Sequence, residues 1–404
     1  MPQIDGLRAV GMLMVYFFHA WQFGGFPAFN VSLLGRETNV LGCLRHFGTG
    51  VDLFMVISGF CLFWPLCKST EALGSWDWRV YTRRRVRRII PPYYAAIGYT
   101  ILLPIILVAA YRALKLPAHW QPIPSAWQLF THFLFIHSLF PGTWNGITGA
   151  YWSLGLEAQF YALFPLVVFG FRRAGVQAIW LIIIASVLFR TLIGLSGLPP
   201  AWEYILSISF LGRWMEFGAG MLTALAVAKY WRQGRANSAL AGTAQIGGAL
   251  ALYIMAVAAP SFAYVPIEEV LLSGAFGLLI FALCTSRTPL AKAFRNPLLD
   301  WLGVISYSFY LLHQPTAWYF SEFLKKDLHL SGAADFCLLS TVGILIVVAV
   351  AWPYFLIFEK PGLSMNQSKK PPDAAPAAPV KEQPVEDPSW ADASSAQIPV
   401  PGRR

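Results

Sequence analysis

Charge is scarce in this sequence. Asp, Glu, Lys and Arg make up 12% of its 404 residues, against about 25% in an ordinary soluble chain. Too little polar surface remains to cover a body in water, so a soluble enzyme is excluded. The long apolar runs also lack polar/apolar alternation, which excludes a transmembrane barrel. Cysteine is sparse and odd in number. Cys43, Cys61, Cys67, Cys284 and Cys337 show no metal-ligand spacing and read as packing residues; no metal site is expected. A cleavable leader fits poorly. Asp5 and Arg8 cancel, and His19 and large rings stand where small residues belong.

Acidic residues are outnumbered, 20 against 30 basic, giving a net charge of +10. The tail after residue 364 holds five of each sign, so the excess lies in the short loops between apolar runs. That is the pattern of basic loops held inside a membrane, and it excludes nucleic-acid binding.

Apolar runs are what the chain has in plenty. Eleven stand at about 7–24, 47–66, 90–111, 126–140, 151–171, 176–196, 205–228, 240–259, 268–286, 298–320 and 335–358. All but 126–140 are long enough to cross ~30 Å of hydrocarbon. The loop "KSTEALGSWDWRVYTRRRVRR" (68–88) is the most basic and sets the inner side. If 126–140 spanned, every later basic loop would flip outward, so it reads as an interfacial or re-entrant helix. The expected fold is all-α: a polytopic membrane protein of about ten transmembrane helices with both termini cytoplasmic. Lys325 and Lys326 are the exception on the outer side. Residues 1–362 form the transmembrane domain. Residues 363–404, rich in Pro and Ala, form a disordered cytoplasmic tail.

Ionisable groups inside spans are costly and mark function. "IDGLRAVGMLMVYFFHAW" places Arg8 at the inner face and His19 eleven residues on, roughly 16–17 Å away and three turns up the same face. The assigned directions put Asp52, Glu157, Arg190, Arg213, Glu216 and His313 in the outer half with His19. On the inner side "RRRVRRIIPPYY" gathers Arg83, Arg84, Arg85, Arg87 and Arg88 near Arg8, and guanidinium groups suit phosphate. An anion cradle and a carboxylate/imidazole cluster thus lie half a bilayer apart. His132 and His137, in the non-spanning segment, read as structural.

Five stretches resemble the acyltransferase-3 family of integral-membrane acyltransferases. They are "IDGLRAVGMLMVYFFHA", "GVDLFMVISGFCLF", "RRRVRRIIPPYY", "YWSLGLEAQFYALFPL" and "ISYSFYLLHQP". Ala158 stands where many members carry a second acid. The resemblance runs from residue 4 to about 358. It implies transfer of an acyl group, often acetyl, from cytoplasmic acyl-CoA to a hydroxyl of a carbohydrate or lipid-linked glycan, in a bacterial cytoplasmic (inner) membrane. On this reading Arg8, Arg83, Arg84, Arg87 and Arg88 hold the CoA phosphates, and the Arg8-to-His19 rise matches the pantetheine arm. His19 serves as general base or acyl relay, its ring oriented by Glu157 or Asp52. Ser153, Tyr161, Tyr310 and His313 assist at the acceptor side. Arg190, Arg213 and Glu216 shape the acceptor pocket or pair with one another. A proton-coupled transporter is the competing class, opposed by the lack of a repeated half. A purely structural subunit leaves the buried charges without purpose.

Overall fold

A segment surrounded by hydrocarbon must bond its own backbone, and helix does this within one stretch of chain. The structure, a computed structural model, describes residues 1–33, 36–67, 73–115, 124–259 and 266–367. Among them ten long helices stand in order. They are α1 (Pro2–Phe23), α2 (Gly50–Cys67), α3 (Trp78–Ala113), α4 (Trp152–Ala174), α5 (Val176–Leu195), α6 (Trp214–Arg232), α7 (Ala239–Ala258), α8 (Ile267–Thr285), α9 (Pro297–Lys326) and α10 (Ala333–Ser364). Met1–Leu363 forms one compact unit; of a second, from Ser364, only the end of the last helical turn is described.

Seven of these helices are long and apolar enough to cross a membrane: α2, α3, α4, α5, α7, α8 and α10. The other three, α1, α6 and α9, carry more polar groups and large buried faces. A helix walled by protein can hold polar residues that lipid would reject. Burial also varies among the seven: 72% of the apolar stretch of α2 is buried, against 11% for α5. One hairpin, Asn30–Leu33 paired antiparallel with Arg36–Asn39, links α1 to a 3₁₀ segment that runs into α2.

Small residues set the central crossings. Gly59 of α2 abuts the backbone of Phe217, and Gly220 of α6 abuts the backbone of Val56 and Phe60, so closely that a Cβ at either would collide. Gly303 of α9 meets the backbone of Asp5 in the same way, which draws α1 and α9 together beside Arg8. Such contact replaces the missing hydrophobic drive between helices in lipid. Alanine favours a helix interior over glycine by about 1 kcal/mol, but overpacking costs about 1–3 kcal/mol. Gly220→Ala should therefore lower the unfolding midpoint of the detergent-solubilised protein; a raised midpoint would contradict the crossing.

Two sequence expectations change, and that of a non-spanning segment at 126–140 agrees with the structure. The basic stretch expected as a loop is helical from Trp78, because Asp77 caps the helix by accepting from the Arg79 amide at 2.7 Å. The run expected at 205–228 is broken: Pro200–Ser207 is a separate short helix, and α6 begins only at Trp214. Gly212 turns the chain there, packed against the Ser207 carbonyl. Segment 126–140 holds an eight-residue helix, Ala126–Phe133, closed by a Ser125/Gln128 capping box, and a 3₁₀ turn at His137–Leu139. Neither is long enough to span. The tail from residue 368 lies outside the described residues.

Candidate active site

Helical phase decides which arginines meet. Residues 81, 85 and 88 lie on one face of α3, since positions three and four apart are neighbours. Arg85 and Arg88 therefore turn inward and, with Arg8 of α1, line a cavity between α1, α2, α3, α4 and α9. Arg83 and Arg84 are exposed, Arg84 beside a neighbouring cavity also lined by Trp76 and Tyr81. Arg87 does not line the main cavity; its carbonyl lies against Gly362. Of the four α3 arginines assigned to phosphate, only Arg88 faces the cavity, and Arg85 joins it.

Three guanidinium groups there face one carboxylate, Glu157. Arg8 pairs with Asp5 at 3.0 Å and points a second nitrogen at the Cys61 sulfur, 3.4 Å away. Arg85 lies over the rings of Tyr81 and Tyr161, 5.6 and 5.3 Å from their centroids. Glu157 accepts from the Ser58 hydroxyl at 2.8 Å and from Tyr161. Tyr161 thus sits on the arginine side and not with the acceptor-side hydroxyls. Those hydroxyls line the cavity too. Ser153 and Tyr310 are 2.7 Å apart, with Tyr310 donating to the Ala150 carbonyl at 3.1 Å and packing edge-on to Phe54.

His19 stands beyond Tyr310 and does not line this cavity. Its Nδ1 lies 3.1 Å from Gln22 Oε1, and its ring centroid is 5.3 Å from that of His313. His313 is in turn 5.2 Å from the Tyr310 ring. Neither expected carboxylate orients His19. Glu157 is held by Ser58 and Tyr161, and Asp52 faces the other way, 2.6 Å from Arg213. The helix carrying His19 is fixed at its end by Lys325, which donates to the Phe23 carbonyl at 2.5 Å and pairs with buried Asp335 at 3.5 Å. A cation at a helix C-terminus opposes the helix dipole favourably. This gives the lysine that stood as the exception in the charge reading a local reason.

Arg190 and Arg213 also lie away from the cavity, in a buried ion network. Arg213 bonds Asp52 and approaches Glu216 at 3.1 Å, while Arg190 pairs with Glu269. Arg213 and Glu216 pair with one another, while Arg190 finds its partner in Glu269. Glu269 escaped the sequence reading because it opens its helix next to Glu268 and passes for surface charge. Ser58, Cys61, Ser306 and Tyr307 also line the cavity; only the packing of α2 and α9 brings them there. His132 and His137 stack at 3.9 Å and bond the carbonyls of Gln128 and Tyr151, each at 2.8 Å. They brace the start of α4, in keeping with a structural part.

An arginine-rich pocket and a pair of imidazoles, joined through Tyr310 inside a helical bundle, can be set beside known proteins. A family model described as an acyltransferase domain matches residues 1–356. The chain belongs to the acyltransferase-3 family. The peptidoglycan O-acetyltransferase OatA of Listeria monocytogenes is 25% identical to this acyltransferase over 342 residues, 78% of this chain and 49% of the relative. YrhL of Bacillus subtilis, provisionally named for the same activity, is 26% identical over 336 residues, 78% of this chain and 48% of its own. A provisionally named acetyltransferase of Acidianus two-tailed virus, ORF330, is 27% identical over 167 residues, 41% and 40% of the two chains. The chain thus spans about half the length of the first two relatives. No solved structure matches it. Family and apolar helices together make it an integral membrane protein, and the transporter alternative has no support.

Proposed function

We propose that this protein is a membrane O-acetyltransferase that takes acetyl from cytoplasmic acyl-CoA and delivers it to a hydroxyl of peptidoglycan or a related glycan. All ten long helices span, both termini are cytoplasmic, and the arginine end of the cavity opens to the cytosol of a bacterial cell, through its cytoplasmic membrane. The relatives' names supply the acetyl group and the acceptor class. The observation that carries the reading is the cavity itself: three guanidinium groups at one end, and a hydroxyl pair at the other backed by two imidazoles.

Arg8, Arg85 and Arg88 hold the donor's phosphates. The pantetheine arm runs up the cavity past Glu157, which with Ser58 offers polar contact to its amides. The thioester arrives at Ser153 and Tyr310. His19, on the far side of Tyr310, takes the acceptor's hydroxyl proton as general base. A shift of the Tyr310 ring opens the last step between thioester and acceptor.

The test is donor affinity. A charge-assisted hydrogen bond contributes about 1.5–3 kcal/mol, so Arg88→Gln should weaken acetyl-CoA binding about 10- to 100-fold. Added salt should weaken both, and the parent more steeply than the variant, which keeps only Arg8 and Arg85 on the phosphates. Calorimetry on protein in nanodiscs reads both. Unchanged affinity in Arg88→Gln and in Arg85→Gln would refute the phosphate site.

A further inference from the structure

One buried imidazole is left without a task in that reaction. His313 of α9 is 1% exposed. Its Nδ1 lies 2.6 Å from the Tyr310 carbonyl oxygen. A carbonyl can only accept, so Nδ1 carries the proton and Nε2 carries the lone pair. That Nε2 is buried and has no hydrogen-bond partner among the described residues. An unsatisfied buried acceptor is costly and asks for a reason.

The reason stands beside it. The His19 ring is 5.3 Å away by centroid and tilted 41°. Among the described residues, the ring contacts of His313 are His19, Phe309 and Tyr310. In a serine-hydrolase triad a carboxylate steadies the working imidazole. Here both carboxylates expected for that part are engaged elsewhere, Asp52 by Arg213 and Glu157 by Ser58 and Tyr161.

We infer that His313, fixed in one tautomer by the Tyr310 carbonyl, is the positioning residue and proton partner of His19. This rests on the acyltransfer reading and deepens it. When the acceptor O–H breaks, its proton passes to the His19/His313 pair. The acceptor oxygen bonds to the thioester carbonyl carbon, the C–S bond breaks, and the departing sulfur takes a proton back from the pair. The imidazolium formed in between is stabilised by the His313 lone pair. Two imidazolium ions this close in a low-dielectric site repel strongly, so the pair holds one added proton at a time.

The experiment compares His313→Phe and His313→Gln with the parent in nanodiscs, measuring kcat and KM for acetyl-CoA with a soluble glycan acceptor. The phenylalanine fills the site without an acceptor; the glutamine restores a polar tip. We expect kcat about 100-fold lower in His313→Phe, KM for acetyl-CoA unchanged, and part of the rate recovered in His313→Gln. In a His19→Ala background, His313→Phe should cause no further loss, because the two act as a unit. A parental kcat in His313→Phe overturns the inference. So does a multiplied loss in the double variant, or a His313→Gln protein that loses donor binding and rate together. Failure of the acyltransfer reading looks different: the unaltered protein would then transfer no acetyl group at all.

Discussion

His19→Ala removes acetyl transfer and leaves acetyl-CoA bound. General acid–base catalysis by one side chain contributes about 10²- to 10⁴-fold, so the loss should be at least 100-fold in membranes with equal protein content. Binding should persist because the proposed phosphate site, Arg8, Arg85 and Arg88, lines a cavity that His19 does not. Folding should persist as well. The ring is half-buried, and its recorded polar contact is the exposed Gln22. The end of α1 is fixed independently, by Lys325 on the Phe23 carbonyl. Radiolabelled acetyl transfer together with acetyl-CoA calorimetry separates the two effects. Transfer near the parental rate would remove His19 from the chemistry.

The second large effect is on stability. Arg213→Met leaves Asp52 and Glu216 buried without their cation and Glu269 with Arg190 alone. Removing one partner of a buried ion pair costs about 3–5 kcal/mol, a large share of the ~5–15 kcal/mol that holds a domain folded. The variant should fail to accumulate in membranes, as read by immunoblot and fluorescence-detected size exclusion. Lysine at 213 should rescue poorly, since a single ammonium cannot serve the carboxylates of Asp52 and Glu216 with a planar fork. Arg213→Met combined with Asp52→Leu and Glu216→Leu should recover most of the protein, because apolar replacement of a whole buried pair is well tolerated. Accumulation of the single variant at parental level would show that the network does not hold the fold.

The contrast between these two sites marks what a linear reading reaches. Depth along a span follows from counting, so Arg8, His19 and Glu157 were recognisable as candidates. Rotation about the helix axis follows only if the segment is known to be helical. The Asp77 cap starts α3 some twelve residues before its apolar run, and that turned Arg83, Arg84 and Arg87 away from the cavity and Arg85 into it. Asp52 and Glu157 share a depth class, yet they face different neighbours, and no spacing separates them. His19 and His313 are far apart in sequence, so only packing of α1 on α9 brings the two rings together. The break before Trp214 was invisible because its residues are apolar enough to continue a helix, and the local turn that packs Gly212 on the Ser207 carbonyl decides otherwise.

Tyr310 and Phe54, packed edge to face, line the cavity, and His19 does not. A cell that stores energy as voltage across its membrane cannot carry a standing leak, since each elementary charge crossing 100 mV releases about 2.3 kcal/mol. On the proposed reading, these two rings act as a plug that lets a two-carbon fragment change compartments while ions stay where they are. Enlarging that plug's clearance, by trimming either ring, would put the organism's battery at risk before it improved the traffic.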